Sequence, residues 1–205
     1  MTIQREIRRK AFHVLAGITV PALYYLFVLA QQSTGRPYTY LAKWILFGAT
    51  AITLTIDIIR LRHLFIKIIF IDPFGPLLRR HEISALTGAT HLMISALLCF
   101  VLFRDGVAIA AMCFLVIGDS LAAIVGRHMG QTKFFEKSFE GGGAGLAGCL
   151  LIGALIVNLP HLQLGSLQMA AGAVAAIVVE MLPIPMDDNI RIPLVSGAVM
   201  QLLFR

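Results

Sequence analysis

Long apolar stretches recur along the whole chain, and they constrain its fold more than any other feature. About seven of them approach the roughly 20 residues that a helix needs to cross the hydrocarbon of a bilayer. With 58% hydrophobic and 14% charged residues, the chain cannot give a soluble globule an ordinary polar surface. The runs therefore predict an all-α, multi-pass transmembrane helical bundle. At this length it forms a single integral membrane domain over residues 1–205, with spans at about 11–30, 41–59, 85–103, 107–126, 143–159, 167–182 and 190–204.

The first run has features of a secretory signal peptide. Basic residues precede it, and it ends in Val28-Leu29-Ala30, which is similar to a cleavage site. Its apolar stretch of about 20 residues is longer than a signal core, which favours a retained helix. Cys99, Cys113 and Cys149 all lie within apolar runs, which indicates small buried residues rather than a disulfide or zinc set.

The segment between the second and third runs predicts a cytoplasmic interfacial helix, or an amphipathic extension of the second span. Its apolar and basic side chains repeat at helical spacing on opposite sides. A turn is predicted after it, at residues 72–76, which read Asp-Pro-Phe-Gly-Pro. The apolar side consists of Leu61, Leu64, Phe65, Ile68 and Ile69, and the basic side of Arg60, His63 and Lys67.

Lysine and arginine are concentrated on one side of the predicted bundle. Alternating the spans leaves only Arg36, Lys43, Arg104 and Arg205 of the 17 basic residues on the other side. The positive-inside rule predicts that the basic side and the N-terminus are cytoplasmic and that the C-terminus is opposite. The expected location is a prokaryotic inner membrane. Topology and anionic lipid account for the net charge of +6, so nucleic acid is not an expected partner. The basic side holds Arg5, Arg8, Arg9, Lys10, Arg60, Arg62, Lys67, Arg79, Arg80, Arg127, Lys133, Lys137 and Arg191.

Carboxylates gather on the same side, which topology does not require. Asp119 and Glu180 lie inside apolar spans, where a charge costs on the order of 3 kcal/mol, so each is predicted to have a partner. On a helix, Asp119 shares a face with Ala122, Ala123 and Gly126, which allows another helix or a ligand to approach closely. Tight helix packing around a paired aspartate explains this feature equally well. The full set is Glu82, Asp119, Glu136, Glu140, Glu180, Asp187 and Asp188.

Residues 118–127, which read Gly-Asp-Ser-Leu-Ala-Ala-Ile-Val-Gly-Arg, are followed by Gly130, Lys133 and Lys-Ser-Phe-Glu-Gly at 137–141. This stretch resembles the signature of the dolichol, phytol and CTP-dependent diacylglycerol kinase family. Part of it also resembles phosphatidate cytidylyltransferases, which share CTP as a substrate. Three other sets of residues resemble further motifs of the family in the same chain order. Arg9-Lys10 with His13 resembles the opening motif, Glu82 with Thr87-Gly88-Ala89-Thr90 the central motif, and Glu180 with Asp188-Asn189 and Pro193 the closing motif.

The resemblance implies transfer of a phosphoryl group from CTP to the hydroxyl of a membrane lipid. Such a reaction needs a divalent metal, cations over the phosphates and a group that positions or deprotonates the hydroxyl. Asp119, Asp188 and Glu180 are the expected ligands of Mg²⁺, with Asp187 left open. The chain has no G-x-x-x-x-G-K-[ST] sequence, so the site is not a P-loop. Catalytic roles are expected for Asp119, Glu180, Asp188, Lys137, His13 and Glu82, and nucleotide binding for Arg127, Gly130, Lys133, Lys137, Ser138, Glu140, Gly141 and Asn189, with the amides of Gly142 and Gly143.

Several of these residues also have purely structural explanations. Lys133 and Lys137 can be topogenic charges, and the glycines a close-packing segment. His13 can be an interfacial histidine, and Glu82 a helix-start residue. The clustering of all of them favours a site.

Two other functions remain open at this stage. A cytidylyltransferase would make CDP-lipid and release pyrophosphate, but its downstream Lys-Asp signature is not evident. A transporter would carry its charges near the midplane, whereas here they lie near one interface. A CDP-alcohol phosphotransferase is disfavoured because there is no D-G-x-x-A-R segment. Polyprenol, phytol-like alcohol and diacylglycerol all remain possible acceptors. Only the resemblance favours CTP over ATP as the donor. The small-residue faces at 141–153 and 170–176 can pack helices within or between subunits.

Overall fold

The computed structural model describes residues 3–204, which form an all-α bundle with one small hairpin. The predicted fold class is therefore confirmed. Two short 3₁₀ turns, Gly75–Leu77 and His81–Ile83, lie between α3 and α4. The α-helices of this part of the chain are α1 (Ile3–Thr34), α2 (Tyr38–Arg62), α3 (Leu64–Phe74), α4 (Gly88–Leu102), α5 (Asp105–Cys113), α6 (Asp119–His128), α7 (Phe139–Val157), α8 (Ser166–Met181) and α9 (Asp188–Leu202), and the two strands are β1 (Lys133–Phe134) and β2 (Lys137–Ser138).

The centre of the bundle is the continuous helix Asp105–His128, in which a π-helical turn, Phe114–Gly118, joins α5 to α6. Every residue of α5 after Asp105 is buried, as expected for a helix that is apolar on all sides. The π turn ends immediately before Asp119, and such turns are frequent at functional sites. Asp119 thus begins α6 at the point where the central helix changes register.

Each of the seven predicted runs falls on helical structure, but the number of spans is not confirmed. Four helices are long and apolar enough to cross a membrane: Arg9–Thr34, Tyr38–Arg62, Asp105–His128 and Phe139–Val157. The other three, α4, α8 and α9, have 15, 16 and 15 residues. At 1.5 Å per residue they rise about 22–24 Å, less than the roughly 30 Å of hydrocarbon.

Side-chain caps set the starts of several helices, which differ by a few residues from the predicted spans. Thr87, Ser138 and Asp187 each accept a hydrogen bond from a backbone N–H in the first turn of α4, α7 and α9. A cap satisfies a donor that has no partner within the helix. The apolar runs therefore predict where helices occur, while capping side chains decide where three of them begin.

Of the two forms predicted for the segment after α2, the structure shows a separate helix rather than an extension of the second span. The chain breaks at His63 (φ −118°, ψ 114°), and α3, which follows, has no buried residue. Arg60, assigned to the basic side of this segment, instead lies fully buried in α2. The predicted turn at 72–76 is also wrong in its position, since α3 continues through Pro73 to Phe74. The proline removes a helix donor where only one more helical residue follows.

The small residues of α7 pack against neighbouring helices of the same chain. A Cβ added to Gly145 would lie 2.8 Å from Ile177 of α8, and one added to Gly142 would lie 2.6 Å from Met181. Close approach of this kind is the usual role of small residues between membrane helices. The three cysteines are free and buried, as predicted.

Candidate active site

Five elements bring charged side chains together at one end of the bundle. Lys10 lies in the N-terminal part of α1, Asp119 starts α6, and Lys137 lies on the hairpin strand β2. Glu180 comes at the end of α8 and Asp188 at the start of α9. All five line one cavity of about 490 Å³, which we call the polar cavity.

Asp119 has the buried partner that its position in an apolar helix predicts. Lys10 Nζ donates to the Asp119 carboxylate and, at 3.3 Å, to the Asp119 backbone carbonyl. The two residues are only 2% and 4% exposed. Lys10, counted on the predicted basic side, is therefore buried and compensates a buried carboxylate.

Lys137 lies between two carboxylates. Its Nζ is 2.5 Å from Glu180 Oε1 and 3.3 Å from Asp188 Oδ2. Burial by itself lowers the pKa of Lys137, but the charges of Asp188 and Glu180 outweigh burial and raise the pKa above its ordinary value. Lys137 is therefore a cation throughout the physiological pH range.

Arg191 holds the polypeptide segment between α8 and α9. Its Nε donates to Asp188 Oδ1 at 2.8 Å, and its Nη1 donates to the carbonyl of Leu182 at 2.7 Å. The residue is 7% exposed, so this arginine of the predicted basic side is also buried. These bonds fix Asp188 in the wall of the polar cavity.

The predicted metal ligands do not form one cluster. Among residues 9–204, whose side chains the structure describes, no group of three or more His, Cys, Asp or Glu side chains is arranged to hold a metal ion. Asp119 is paired with Lys10, whereas Glu180 and Asp188 share Lys137. Mg²⁺ is usually held by one or two carboxylates together with phosphate oxygens. Glu180 and Asp188 fit that requirement, because one oxygen of each reaches the same nitrogen atom.

The walls of the polar cavity carry an excess of positive charge, which suits a polyanionic ligand such as a triphosphate. The predicted phosphate-binding residues Arg127, Lys133 and Lys137 are all among its cations. The six cations are Arg9, Lys10, Arg79, Arg127, Lys133 and Lys137, and the four carboxylates are Asp119, Glu136, Glu180 and Asp188.

Ser138 and Gly141 line the polar cavity but are engaged with each other. The Gly141 N–H donates to Ser138 Oγ at 3.2 Å, which caps α7. A Cβ on Gly141 would lie 2.6 Å from the Ala122 carbonyl oxygen and 3.0 Å from Gly126 Cα. The expectation that the Gly141 amide binds phosphate is therefore not met, and this glycine allows α6 and α7 to touch.

Gly130 and Glu140 do not line the polar cavity. Gly130 packs against the Gly126 carbonyl and the Ser138 side chain, and Glu140 accepts a hydrogen bond of 2.9 Å from the Thr132 N–H. Both residues shape the hairpin that carries Lys133 and Lys137.

His13, Glu82 and Asn189 line a second, largely apolar cavity of about 370 Å³, which we call the apolar cavity. Glu82 accepts from the N–H groups of Arg79 and Gly88, at 2.7 and 3.0 Å. His13 Nε2 is buried without a hydrogen-bond partner among the described residues. The two cavities share three residues: Arg9, Arg79 and Asp119.

Sequence reasoning missed Asp57, which organises the wall of the apolar cavity. This carboxylate is 2% exposed and accepts from Arg60 Nε at 2.5 Å. It also accepts from Thr87 N at 2.7 Å and from Thr90 Oγ1 at 2.7 Å. Two of the threonines in the predicted central motif therefore surround Asp57. A carboxylate inside an apolar run, with arginine three residues later, was the available signal.

The fold and the site define a helical membrane protein in which a cation-rich cavity adjoins an apolar one. The chain is similar to lipid kinases, among them a CTP-dependent diacylglycerol kinase and a probable phytol kinase, which confirms the resemblance found in the sequence. It is 26% identical to CTP-dependent diacylglycerol kinase 1 of Saccharomyces cerevisiae over 98% of this chain and 74% of that protein. It is 29% identical to a probable chloroplastic phytol kinase of Triticum aestivum over 98% of this chain and 69% of the relative.

An uncharacterized protein of Rickettsia prowazekii is 30% identical over 92% of this chain and 90% of its own length. No family model matches the chain, and no solved structure matches it significantly.

Proposed function

We propose that this protein is a membrane-embedded lipid-alcohol kinase that transfers the γ-phosphate of CTP, or of another nucleoside triphosphate, to a lipid hydroxyl. The observation that carries the proposal is the junction of the two cavities at Arg9, Arg79 and Asp119. A triphosphate in the polar cavity and a lipid in the apolar cavity would meet there. The names of the yeast and wheat relatives support a lipid-kinase reaction, and the yeast name supports CTP as donor.

The donor is assigned to the polar cavity by charge. Arg127, Lys133 and Lys137 bind the triphosphate, and Glu180 and Asp188 would hold Mg²⁺, which neutralises charge on the phosphate oxygens. Lys137 remains protonated because its pKa is raised, so it contributes a fixed positive charge beside the phosphates.

The acceptor is assigned to the apolar cavity. Along α1 this cavity extends from Arg9 to Gly17, a rise of about 12 Å at 1.5 Å per residue. The lipid chain lies along this wall, and its hydroxyl lies at Asp119. The hydroxyl oxygen forms the new bond to the γ-phosphorus as the bond to the leaving CDP breaks, and the hydroxyl proton passes to His13 Nε2. Polyprenol, phytol-like alcohol and diacylglycerol are the candidate acceptors.

The membrane arrangement we propose has seven crossings in one integral domain. The starts of α1, α4, α7 and α9 and the ends of α2, α6 and α8 lie beside the two cavities, which is the arrangement that alternating crossings produce. The three short helices would still cross the membrane, because the polar loops at the cavity end of the bundle would lie in the interfacial region and complete each crossing. The positive-inside rule places that end in the cytoplasm, even after the buried Lys10, Arg60 and Arg191 are left out of the count.

The proposal is tested by incubating the purified protein and Mg²⁺ with CTP labelled at the γ-phosphate and a mixture of polyprenol, phytol, diacylglycerol and phosphatidate. Label in a lipid alcohol, with release of CDP, is expected and identifies the acceptor. Formation of CDP-lipid with pyrophosphate would instead show a cytidylyltransferase. Absence of any product would refute the enzymatic proposal.

Asp119→Asn should lower turnover by about 10²-fold or more, because the carboxylate lies where donor and acceptor meet. Asp105→Asn is the matched control at the other end of the same continuous helix, where Asp105 accepts from Tyr24 Oη at 2.7 Å. Equal turnover by the Asp119 variant and the wild type would remove Asp119 from the reaction.

A further inference from the structure

A third cavity, of about 550 Å³, is lined in part by the hairpin. The two cavities share Arg79, Glu136, Lys137 and Asp188. The third cavity is therefore continuous with the walls assigned to the triphosphate. A ligand whose phosphates contact Lys137 in the polar cavity would extend directly into this space.

One wall of the third cavity is Phe135, at the tip of the hairpin. The pairing of Phe134 with Lys137 leaves Phe135 and Glu136 as a two-residue turn. Phe135 has φ 52°, a left-handed conformation that such turns usually give to glycine or asparagine and that is unfavourable for an aromatic residue. Its ring is 64% exposed, so burial of the ring does not compensate the strain. Strained residues of this kind are concentrated at ligand sites.

The cavity is also lined by the loop between α8 and α9, which contains Pro183 and Pro185. Arg191 donates to the carbonyls of Leu182 and Ile184 at 2.7 and 3.5 Å, and these bonds hold the loop in place. The prolines restrict its backbone further. We call this cavity the slot; its lining combines an exposed aromatic ring with a loop that is held by hydrogen bonds.

We propose that this slot binds the pyrimidine base of the donor nucleotide, with the base stacked on Phe135 and the phosphates on the Lys137 side. This inference rests on the proposed function and extends it to donor selection. Glu136 supplies an acceptor for the exocyclic amino group of cytosine, which uracil lacks. Asp188 is engaged by Arg191, whereas Glu136 has no ion pair among the described residues.

Steady-state kinetics of Phe135 variants test the stacking. Removing an aromatic platform costs a stacked base roughly 5- to 150-fold in affinity. Phe135→Ala should raise KM for CTP by that factor and leave kcat and KM for the lipid unchanged. Phe135→Tyr should retain wild-type KM, and Phe135→Leu should resemble the alanine variant. Phe65→Ala is the matched control, because Phe65 is 73% exposed and lines none of the three cavities.

A membrane anchor would behave differently from a base platform. If Phe135 only inserts into the membrane interface, Phe135→Leu will have wild-type activity and Phe135→Ala will have an unchanged KM for CTP. That result would overturn the proposal. Phe135→Gly separates binding from folding, since it relieves the positive φ and should raise Tm while still raising KM. The ratio of CTP to UTP turnover should fall in Glu136→Ala, and an unchanged ratio would remove Glu136 from base selection.

Direct binding distinguishes failure of this inference from failure of the proposed function. Trp44 is the single tryptophan of the chain, so Phe135→Trp in a Trp44→Phe background places one reporter in the slot. Saturable quenching of its fluorescence by CTP is expected. Normal lipid phosphorylation without quenching overturns the slot alone, whereas a wild-type protein that neither binds CTP nor phosphorylates lipid overturns both proposals.

Discussion

Replacing Asp57 with leucine breaks a charged network that is buried in the wall of the apolar cavity. Asp57 accepts from Arg60 Nε at 2.5 Å and from two groups of Thr87, at 2.7 and 3.0 Å. Arg60 is 0% exposed, so the substitution leaves a guanidinium without its counter-ion. Removing one member of a buried ion pair typically costs about 3–5 kcal/mol of unfolding free energy. We expect that loss for Asp57→Leu, and a similar loss for Arg60→Leu.

The double variant Asp57→Leu with Arg60→Leu separates the charge from the rest of the network. It contains neither buried charge, so it should lose only the hydrogen bonds to Thr87, Thr90 and the Ala85 carbonyl, at about 1–3 kcal/mol for each orphaned buried group. The double variant should therefore be more stable than Asp57→Leu, which leaves the same threonine donors unpaired and a buried guanidinium without its counter-ion. Arg62→Leu is the control, because this neighbouring arginine is exposed and its loss should cost less than about 0.5 kcal/mol.

Unfolding by sodium dodecyl sulfate in mixed micelles, followed by circular dichroism, measures these free energies. The double-mutant cycle then gives the coupling between the two residues. Strictly additive losses in the double variant, or a single-variant loss below about 1 kcal/mol, would refute the argument that burial makes the unpaired charge expensive.

Three further predictions concern the polar cavity. Gly141→Ala places a Cβ 2.6 Å from the Ala122 carbonyl and should lower both Tm and turnover. The control Gly143→Ala, whose Cβ would have nothing within 4 Å, should change neither. Equal changes of Tm and turnover in the two variants would contradict the packing role of Gly141. The raised pKa of Lys137 means that its protonated form is favoured in the folded state. Its contribution to stability is therefore complete below the ordinary lysine pKa of 10.5 and is lost as pH rises through the raised pKa of the folded state. Lys137→Met should therefore be less stable than wild type at neutral pH, with the difference narrowing in unfolding measurements above pH 10.5; a constant difference would exclude the ion pairs as its cause. A cysteine introduced at Gln131 should react with a membrane-impermeant maleimide only from the cytoplasm, because the native cysteines are buried, and labelling from outside intact cells would invert the proposed topology.

The apolar runs determined the fold class and the approximate position of each helix. An apolar stretch prefers lipid to water because of its own side chains, and a helix satisfies its own backbone hydrogen bonds there. The all-α bundle therefore follows from the sequence without information on tertiary contacts. The motif pattern likewise identified the family, and it placed Asp119, Lys137, Glu180 and Asp188 among the residues of interest.

The sequence alone did not decide the span number or the helix starts. Three helices are shorter than the hydrocarbon is thick, and caps such as Ser138 lie outside the apolar pattern. The roles of individual cations were also hidden. Lys10, Arg60 and Arg191 look like topogenic charges in the sequence, but in the structure each is buried and paired with a carboxylate.

Only the tertiary structure divided the predicted site residues between two cavities. His13, Glu82 and Asn189 face the apolar one, while Lys137 lies in the polar one. The physical reason is that a charge in a low-dielectric interior is stabilised by the partner nearest in space, and that partner is often far away along the chain. Lys10 and Asp119 are separated by 109 residues along the chain, so helical periodicity cannot predict that they pair. They meet only because α1 packs against α6.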